Sequence, residues 1–227
     1  MTKLVFIFIG MNYYLVVIFS SSIFIGTLIG WFRFKKTEPA FFPFIICLSV
    51  ASLNEIISFV ITVKGYSTAY NNNIYVLLEA LLITWQFKKW GLFNQYKGAY
   101  HAVMIIIVIT WVAENLFMYK IAAVSFYFRI GYSFIIVLMS IHINNNLILT
   151  FRNNLLKSPE FLICSGFIIY FTYKILIEAF WLYGLNAGRD FRINVYLLLT
   201  WINLFVNLIY AAALLWIPKK PQHITLS

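Results

Sequence analysis

Six charged side chains sit inside long apolar runs of this sequence: Glu55, Glu79, Glu114, Arg129, Lys174 and Glu178. An ionised side chain near the middle of a bilayer costs at least about 2.5–3.5 kcal/mol. Such groups are kept where they pair, bind or react. Asn72, Tyr75 and Glu79 are spaced three and four apart, so on a helix they share one face. Asn54 stands beside Glu55 in the preceding apolar run. Lys174 and Glu178 are four apart and can neutralise each other, while Arg129 suits a bidentate grip on one or two of the glutamates. Four carboxylates against two bases leave a formal charge of −2, so either a glutamate keeps its proton or a cation completes the group. Asn54, Glu55, Asn72, Tyr75, Glu79, Glu114, Arg129, Lys174 and Glu178 are therefore the candidate site.

The elements that must position them are membrane helices. The chain is 63% hydrophobic and only 11% charged, with a mean hydropathy of +0.87. Soluble domains carry about 25% charged residues. The expected fold is all-α, a seven-helix transmembrane bundle forming one domain over residues 1–227. The spans fall at roughly 11–32, 40–63, 71–87, 99–118, 121–143, 160–183 and 193–217, leaving no length for a soluble domain. Lys3 followed by an apolar run imitates a signal peptide, but the run continues to Phe32 without a small-residue cleavage pattern, so a retained first helix is expected. Net charge +10 does not point to nucleic acid, because the basic residues cluster at the ends of apolar runs.

Those basic residues set the orientation. Arg33, Lys35, Lys36, Lys88, Lys89, Lys97, Arg152, Lys157, Lys219 and Lys220 fall on one side; Lys3, Lys64, Lys120, Arg189 and Arg192 fall on the other. The richer side is read as cytoplasmic, which puts the N-terminus outside and the C-terminus inside a bacterial-type inner (plasma) membrane. Counted from the outer helix ends at ~1.5 Å per residue, all six charges lie in the outer half, with Glu79, Arg129 and Glu55 near ~12 Å. Convergence of those three is the expectation. A polar network that only fastens helices is the competing reading.

Much chemistry is excluded. No G-x-S-x-G, H-E-x-x-H, P-loop or dinucleotide-binding pattern occurs, and three histidines are too few and scattered for a metal site. Cys47 and Cys164 lie in apolar runs without C-x-x-C spacing and read as small buried residues. No cofactor and no metal is expected, and an enzymatic role is not favoured. Lys174 in the sixth span has Glu178 beside it, so a salt bridge is simpler than a retinal-type linkage. Gly26 and Gly30 offer a close helix approach, although glycine is common in membrane helices. Tyr196, Thr200, Asn203, Asn207 and Tyr210 form a polar stripe on the last span, read as interhelical hydrogen bonding.

The Asn-x-x-Tyr-x-x-x-Glu pattern of Asn72, Tyr75 and Glu79, following a span with Asn54-Glu55, resembles a group of uncharacterised small bacterial multi-span proteins. The resemblance covers spans two and three and implies no activity. Taken together, the residues point to an outward-facing polar pocket for a small polar or amphiphilic ligand, in a sensor or receptor-like subunit acting through a membrane partner. The alternatives are a transporter or ion-coupled carrier, an intramembrane lipid-acting enzyme, and a structural subunit of a membrane complex.

Overall fold

The structure, a computed structural model, describes residues 11–96, 98–118, 121–150, 155–182 and 189–218. Among these there is no strand. The helices are α1 (Met11–Ser20), α2 (Ile23–Arg33), α3 (Phe42–Val63), α4 (Ala69–Lys89), α5 (Ala99–Val112, continued as a π-turn over Ala113–Met118), α6 (Phe126–Thr150), α7 (Pro159–Leu182) and α8 (Arg189–Trp216). Among the described residues six segments are long and apolar enough to cross a membrane, which marks a multi-pass membrane protein. The segment outside that set is α4. Its 21 residues are long enough, but Asn71, Asn72, Asn73, Glu79, Gln86 and the closing Lys88-Lys89 lower its hydropathy.

The first apolar run is not one helix. Ser21 Oγ donates to Val17 O at 2.7 Å and Ser22 Oγ to Phe19 O, and the backbone tightens to i→i+3 bonds from Ser22 to Ile25. Serine hydroxyls that bond back onto the preceding turn bend helices. Here the bend is held from outside, because Asn207 Nδ2 on α8 donates to Ser22 Oγ at 2.9 Å. At the far end Arg33 donates to the carbonyls of Leu215 and Ile217. A cation there satisfies orphan carbonyls at the C-terminus of α8 and complements its dipole.

Around the bundle, α2 packs on α3 and α8, α3 on α4, α4 on α6, α6 on α7, and α7 on α8, closing a ring. Only Ile107 is buried along α5, which leans on α4 from outside. Without a hydrophobic drive between helices in lipid, close packing and interhelical hydrogen bonds hold such a ring. The glycines serve this. Gly26 and Gly30 are buried, and a Cβ at Gly30 would lie 3.1 Å from Ile45 Cγ2. Thr27 Oγ1 between them bonds Ser52 Oγ at 2.7 Å and Leu48 O at 3.1 Å. On α7, Gly166 seats the ring of Tyr210, where an added Cβ would stand 2.5 Å from Cε1. Gly166→Ala is therefore expected to destabilise the bundle by about 1–3 kcal/mol through overpacking, readable as a lowered unfolding midpoint in detergent.

One end of the bundle carries the α2–α3, α4–α5 and α6–α7 connections and the C-terminus of α8. It is closed by aromatic packing. Phe41, Phe44, Phe87 and Phe167 are buried there, with Trp90 edge-on to Phe41 and Phe87. Gln86 seals the polar gap that Pro43 opens at the start of α3: its Oε1 accepts from Phe44 N at 2.8 Å and its Nε2 donates to Ala40 O at 2.7 Å. The opposite end, with the α3–α4 turn and the start of α8, holds the charges.

Candidate functional site

The charges form two separate ion pairs, and neither is the expected one. Glu79, at the centre of α4, meets Lys174 of α7 with Nζ 3.1 Å from Oε2. Arg129 of α6 meets Glu178 of α7, Nη1 to Oε1 at 3.2 Å. Lys174 and Glu178 therefore do not pair with each other, and Arg129 does not reach Glu79 or Glu55. Pairing across helices explains this: an i,i+4 bridge within α7 would leave both Glu79 and Arg129 buried without a counter-charge, which is the costlier arrangement.

The depth of Arg129 follows from the start of α6. The expected fifth span began at residue 121, but the helix begins at Phe126, so Arg129 lies in its first turn rather than ~12 Å down. Residues 121–125 are held out of helix by Asn73. Its Nδ2 donates to Ile121 O at 2.9 Å and to Ala123 O, while its Oδ1 accepts from Ser125 Oγ at 3.0 Å and Arg129 Nη2 at 3.3 Å. Trp111 Nε1 adds a bond to the Asn73 carbonyl at 2.8 Å. This residue, fully buried, ties α4 to α5, α6 and the loop between them.

Glu79 is the centre of the deeper cluster. Tyr75 donates to its Oε1 at 2.7 Å, and Tyr132 of α6 donates to Oε2. The Tyr132 hydroxyl in turn accepts from Lys174 Nζ. The ammonium also lies 5.1–5.4 Å from the ring centres of Tyr132, Tyr170 and Phe171, within cation–π range. With three charge-assisted bonds to its carboxylate, Glu79 is satisfied as an anion.

The other candidates divide. Glu114 sits in the π-turn and accepts from Tyr127 N at 3.0 Å and from Phe128 N. It caps the N-terminus of α6 from a neighbouring helix, where the orphan amides and the dipole favour an anion. Asn54 accepts from Asn71 Nδ2 at 2.7 Å, and Asn72 bonds Ser58 and Thr68 at 3.3 Å each. These amides pin the α3–α4 hairpin and stand apart from the Glu79 carboxylate.

Glu55 differs from all of them. It is half-buried, and among the described residues it has no hydrogen bond or ion pair. It lies on the wall of a central cavity of about 80 Å³. The half-buried part of that wall is Ser20 of α1, Ile23 of α2, Glu55, Tyr75, Tyr170 and Asn203, at mid-bundle and toward the charged end. Toward the other end the wall is buried: Phe44, Cys47, Leu48, Ile83, Phe167 and Tyr210. The cavity is thus open above and closed below. Glu79 lines it from the α4 side, one turn above Ile83, and no lysine or arginine is among the lining residues. By volume it accommodates several waters or a small head group.

The polar stripe of the last helix has two uses. Asn207 holds the bend of α1–α2, as above, while Asn203 and Tyr210 also face the cavity. Thr200 is buried, and the Tyr196 side chain is outside the described residues. Sequence reasoning passed over Tyr132, Asn73 and Gln86. Tyr132 was detectable in part, since it stands three residues after Arg129 on the same face of α6.

What this arrangement can do chemically is limited. Among the described residues no serine, threonine or cysteine of the cavity wall is hydrogen-bonded to a carboxylate or histidine, and no three His, Cys, Asp or Glu side chains come together to hold a metal ion. The ion pairs link α4, α6 and α7; the cavity beside them presents a carboxylate with no partner among the described residues, aromatic faces and amide groups. No family model, curated protein or solved structure matches the chain.

Proposed function

We propose that this chain is a seven-span plasma-membrane protein whose central cavity recognises a small polar or amphiphilic ligand from outside, as a receptor-like subunit that acts through a membrane partner. In this reading α4 is the seventh span. Its polar residues turn inward to Glu79, Asn73 and Gln86 contacts, so its low hydropathy does not face lipid. The N-terminus lies outside and the C-terminus inside, because Arg33, Lys35, Lys36, Lys88 and Lys89 sit at the closed end and the described part of the open end has fewer basic residues.

One observation carries the recognition reading: Glu55, without a protein partner among the described residues, faces a cavity that is open at one end and closed by aromatic packing at the other. The closed end rules out an open channel in this state; an alternating-access carrier, shut on one side at a time, stays the second reading. A purely structural network accounts for the two ion pairs and for Glu114, but leaves Glu55 and the cavity without a role. Bending at Ser21-Ser22, beside cavity residues Ser20 and Asn207, gives occupancy a route to helix movement.

Orientation has a symmetric test, because Tyr66 and Tyr96 are each 72% exposed at opposite ends. Tyr66→Cys is expected to react with an impermeant thiol reagent on intact cells, and Tyr96→Cys only after permeabilisation; the reverse pattern would invert the protein. Recognition is tested by a small-molecule thermal-shift screen of the protein in nanodiscs. Compounds that stabilise the wild type are expected to lose their effect in Asn203→Phe, which fills the half-open wall. If no stabilising compound is sensitive to that substitution, the cavity is not a recognition site.

A further inference from the structure

The charges described within the membrane helices are compensated one by one, with a single exception. Glu79 is answered by Lys174, Glu178 by Arg129, and Glu114 by two backbone amides at the start of α6. Glu55 has no such answer among the described residues. It projects into a space whose lining contains a second carboxylate and no basic side chain. With Glu55 ionised, such a space carries a negative potential, since Lys174 already answers Glu79.

The remaining lining selects the kind of cation. Tyr75, Tyr170 and Tyr210 share the wall with Phe44, Phe167 and Phe171. Aromatic faces attract cations that shed water readily, whereas a metal ion needs several oxygen ligands, which the carboxylates here are too few to give. The protein already shows the pattern in its own chain: the Lys174 ammonium rests 5.4 Å from the rings of both Tyr170 and Phe171, two residues that also line the cavity.

We infer that the cavity binds a small organic cation, an ammonium bearing apolar substituents, with Glu55 as counter-ion and Tyr75, Tyr170 and Tyr210 as aromatic wall. The inference rests on the reading of the cavity as a recognition site and adds the ligand's chemical class. The hydroxyls of Tyr170 and Tyr210 make no hydrogen bond among the described residues, so they are available to the ligand's polar groups or to waters around it.

The test uses the full chain in nanodiscs and compares tetramethylammonium chloride with sodium chloride at equal ionic strength and with tert-butanol, a neutral molecule of similar shape. Tetramethylammonium is expected to raise the unfolding midpoint by about 5 °C near saturation, with no rise from the other two, and Glu55→Gln is expected to abolish it. Equal stabilisation by sodium chloride or by tert-butanol overturns the organic-cation assignment, as does a rise that survives in Glu55→Gln. Should that variant fail to fold, the comparison of the three compounds on the wild type decides alone. If tert-butanol and tetramethylammonium stabilise equally and both effects vanish in Asn203→Phe, the cavity recognises ligands but not by charge, and only this inference falls. If none of the three compounds produces a rise that Asn203→Phe removes, this inference falls; the recognition reading falls with it only if the broader screen also finds no compound sensitive to that substitution.

Discussion

Lys174→Met is expected to lower the unfolding free energy by about 3–5 kcal/mol, and adding Glu79→Gln should return most of that loss. The single substitution leaves the Glu79 carboxylate, 5% exposed at the centre of α4, with only two tyrosine hydroxyls to stabilise its charge. The second substitution removes the stranded charge and keeps an oxygen for Tyr75 or Tyr132 to donate to. Glu178→Gln in place of Glu79→Gln should give no such relief, because Glu178 belongs to Arg129. A thermal or denaturant double-mutant cycle reads the difference. Rescue by Glu178→Gln, with none from Glu79→Gln, would restore the i,i+4 pair within α7 and remove the cross-helix network.

The second large effect is expected at a residue with no charge. Asn73→Ala should cost about 3 kcal/mol, since each buried group left unsatisfied costs about 1–3 kcal/mol and the amide serves several at once. Ile121 and Ala123 lose a donor; Ser125 and Arg129 lose an acceptor. The loss should be local as well as global, with faster amide exchange through residues 121–125 and the first turn of α6. Asn72→Ala is the control. Its bonds are 3.3 Å long and half-exposed, so a loss of about 1 kcal/mol or less is expected. Equal losses at the two positions would show that Asn73 does not organise this corner.

The contrast between these neighbouring asparagines shows what the sequence discloses and what it does not. Apolar run lengths placed some helices closely and others not: α4 extends two residues beyond the expected segment at each end and α7 starts and ends one residue early, whereas α6 runs over Phe126–Thr150 against an expected 121–143. Periodicity also placed Tyr75 and Glu79 on one face, and the two bond directly. Partner choice was hidden, because it depends on depth. A start of α6 five residues later than expected lifts Arg129 by more than a helical turn and hands it to Glu178 instead of Glu79. That shift is caused by Asn73, whose side chain outcompetes helix formation by binding two carbonyls of the loop, and no local pattern in 121–125 announces it.

The break at Ser21-Ser22 was hidden for a similar reason. Serines are common in membrane helices, and only Asn207, 185 residues away, turns these into a hinge. Tyr132 was overlooked because a tyrosine in an apolar run usually reads as interfacial. The inward concentration of charge toward one end was legible, although Glu79 lies at mid-helix and Arg129 near the end rather than at one common depth. The sequence places Glu55 in a charged cluster, yet its distinction is that no pair among the described residues includes it.

The most direct measurement is the reactivity of Asn203→Cys on intact cells, with a methanethiosulfonate carrying a trimethylammonium group compared with one carrying a sulfonate. Native Cys47 lines the cavity, so the measurement is made in a Cys47→Ala background, with Cys164, fully buried away from the cavity, as the unreactive internal control. An outward-open cavity with Glu55 ionised predicts that Asn203→Cys is modified from outside, and that the cationic reagent reacts faster by about tenfold or more after correction for their intrinsic rates. Glu55→Gln should level the two rates. No modification by either reagent from outside, or a faster reaction with the sulfonate, would contradict the account.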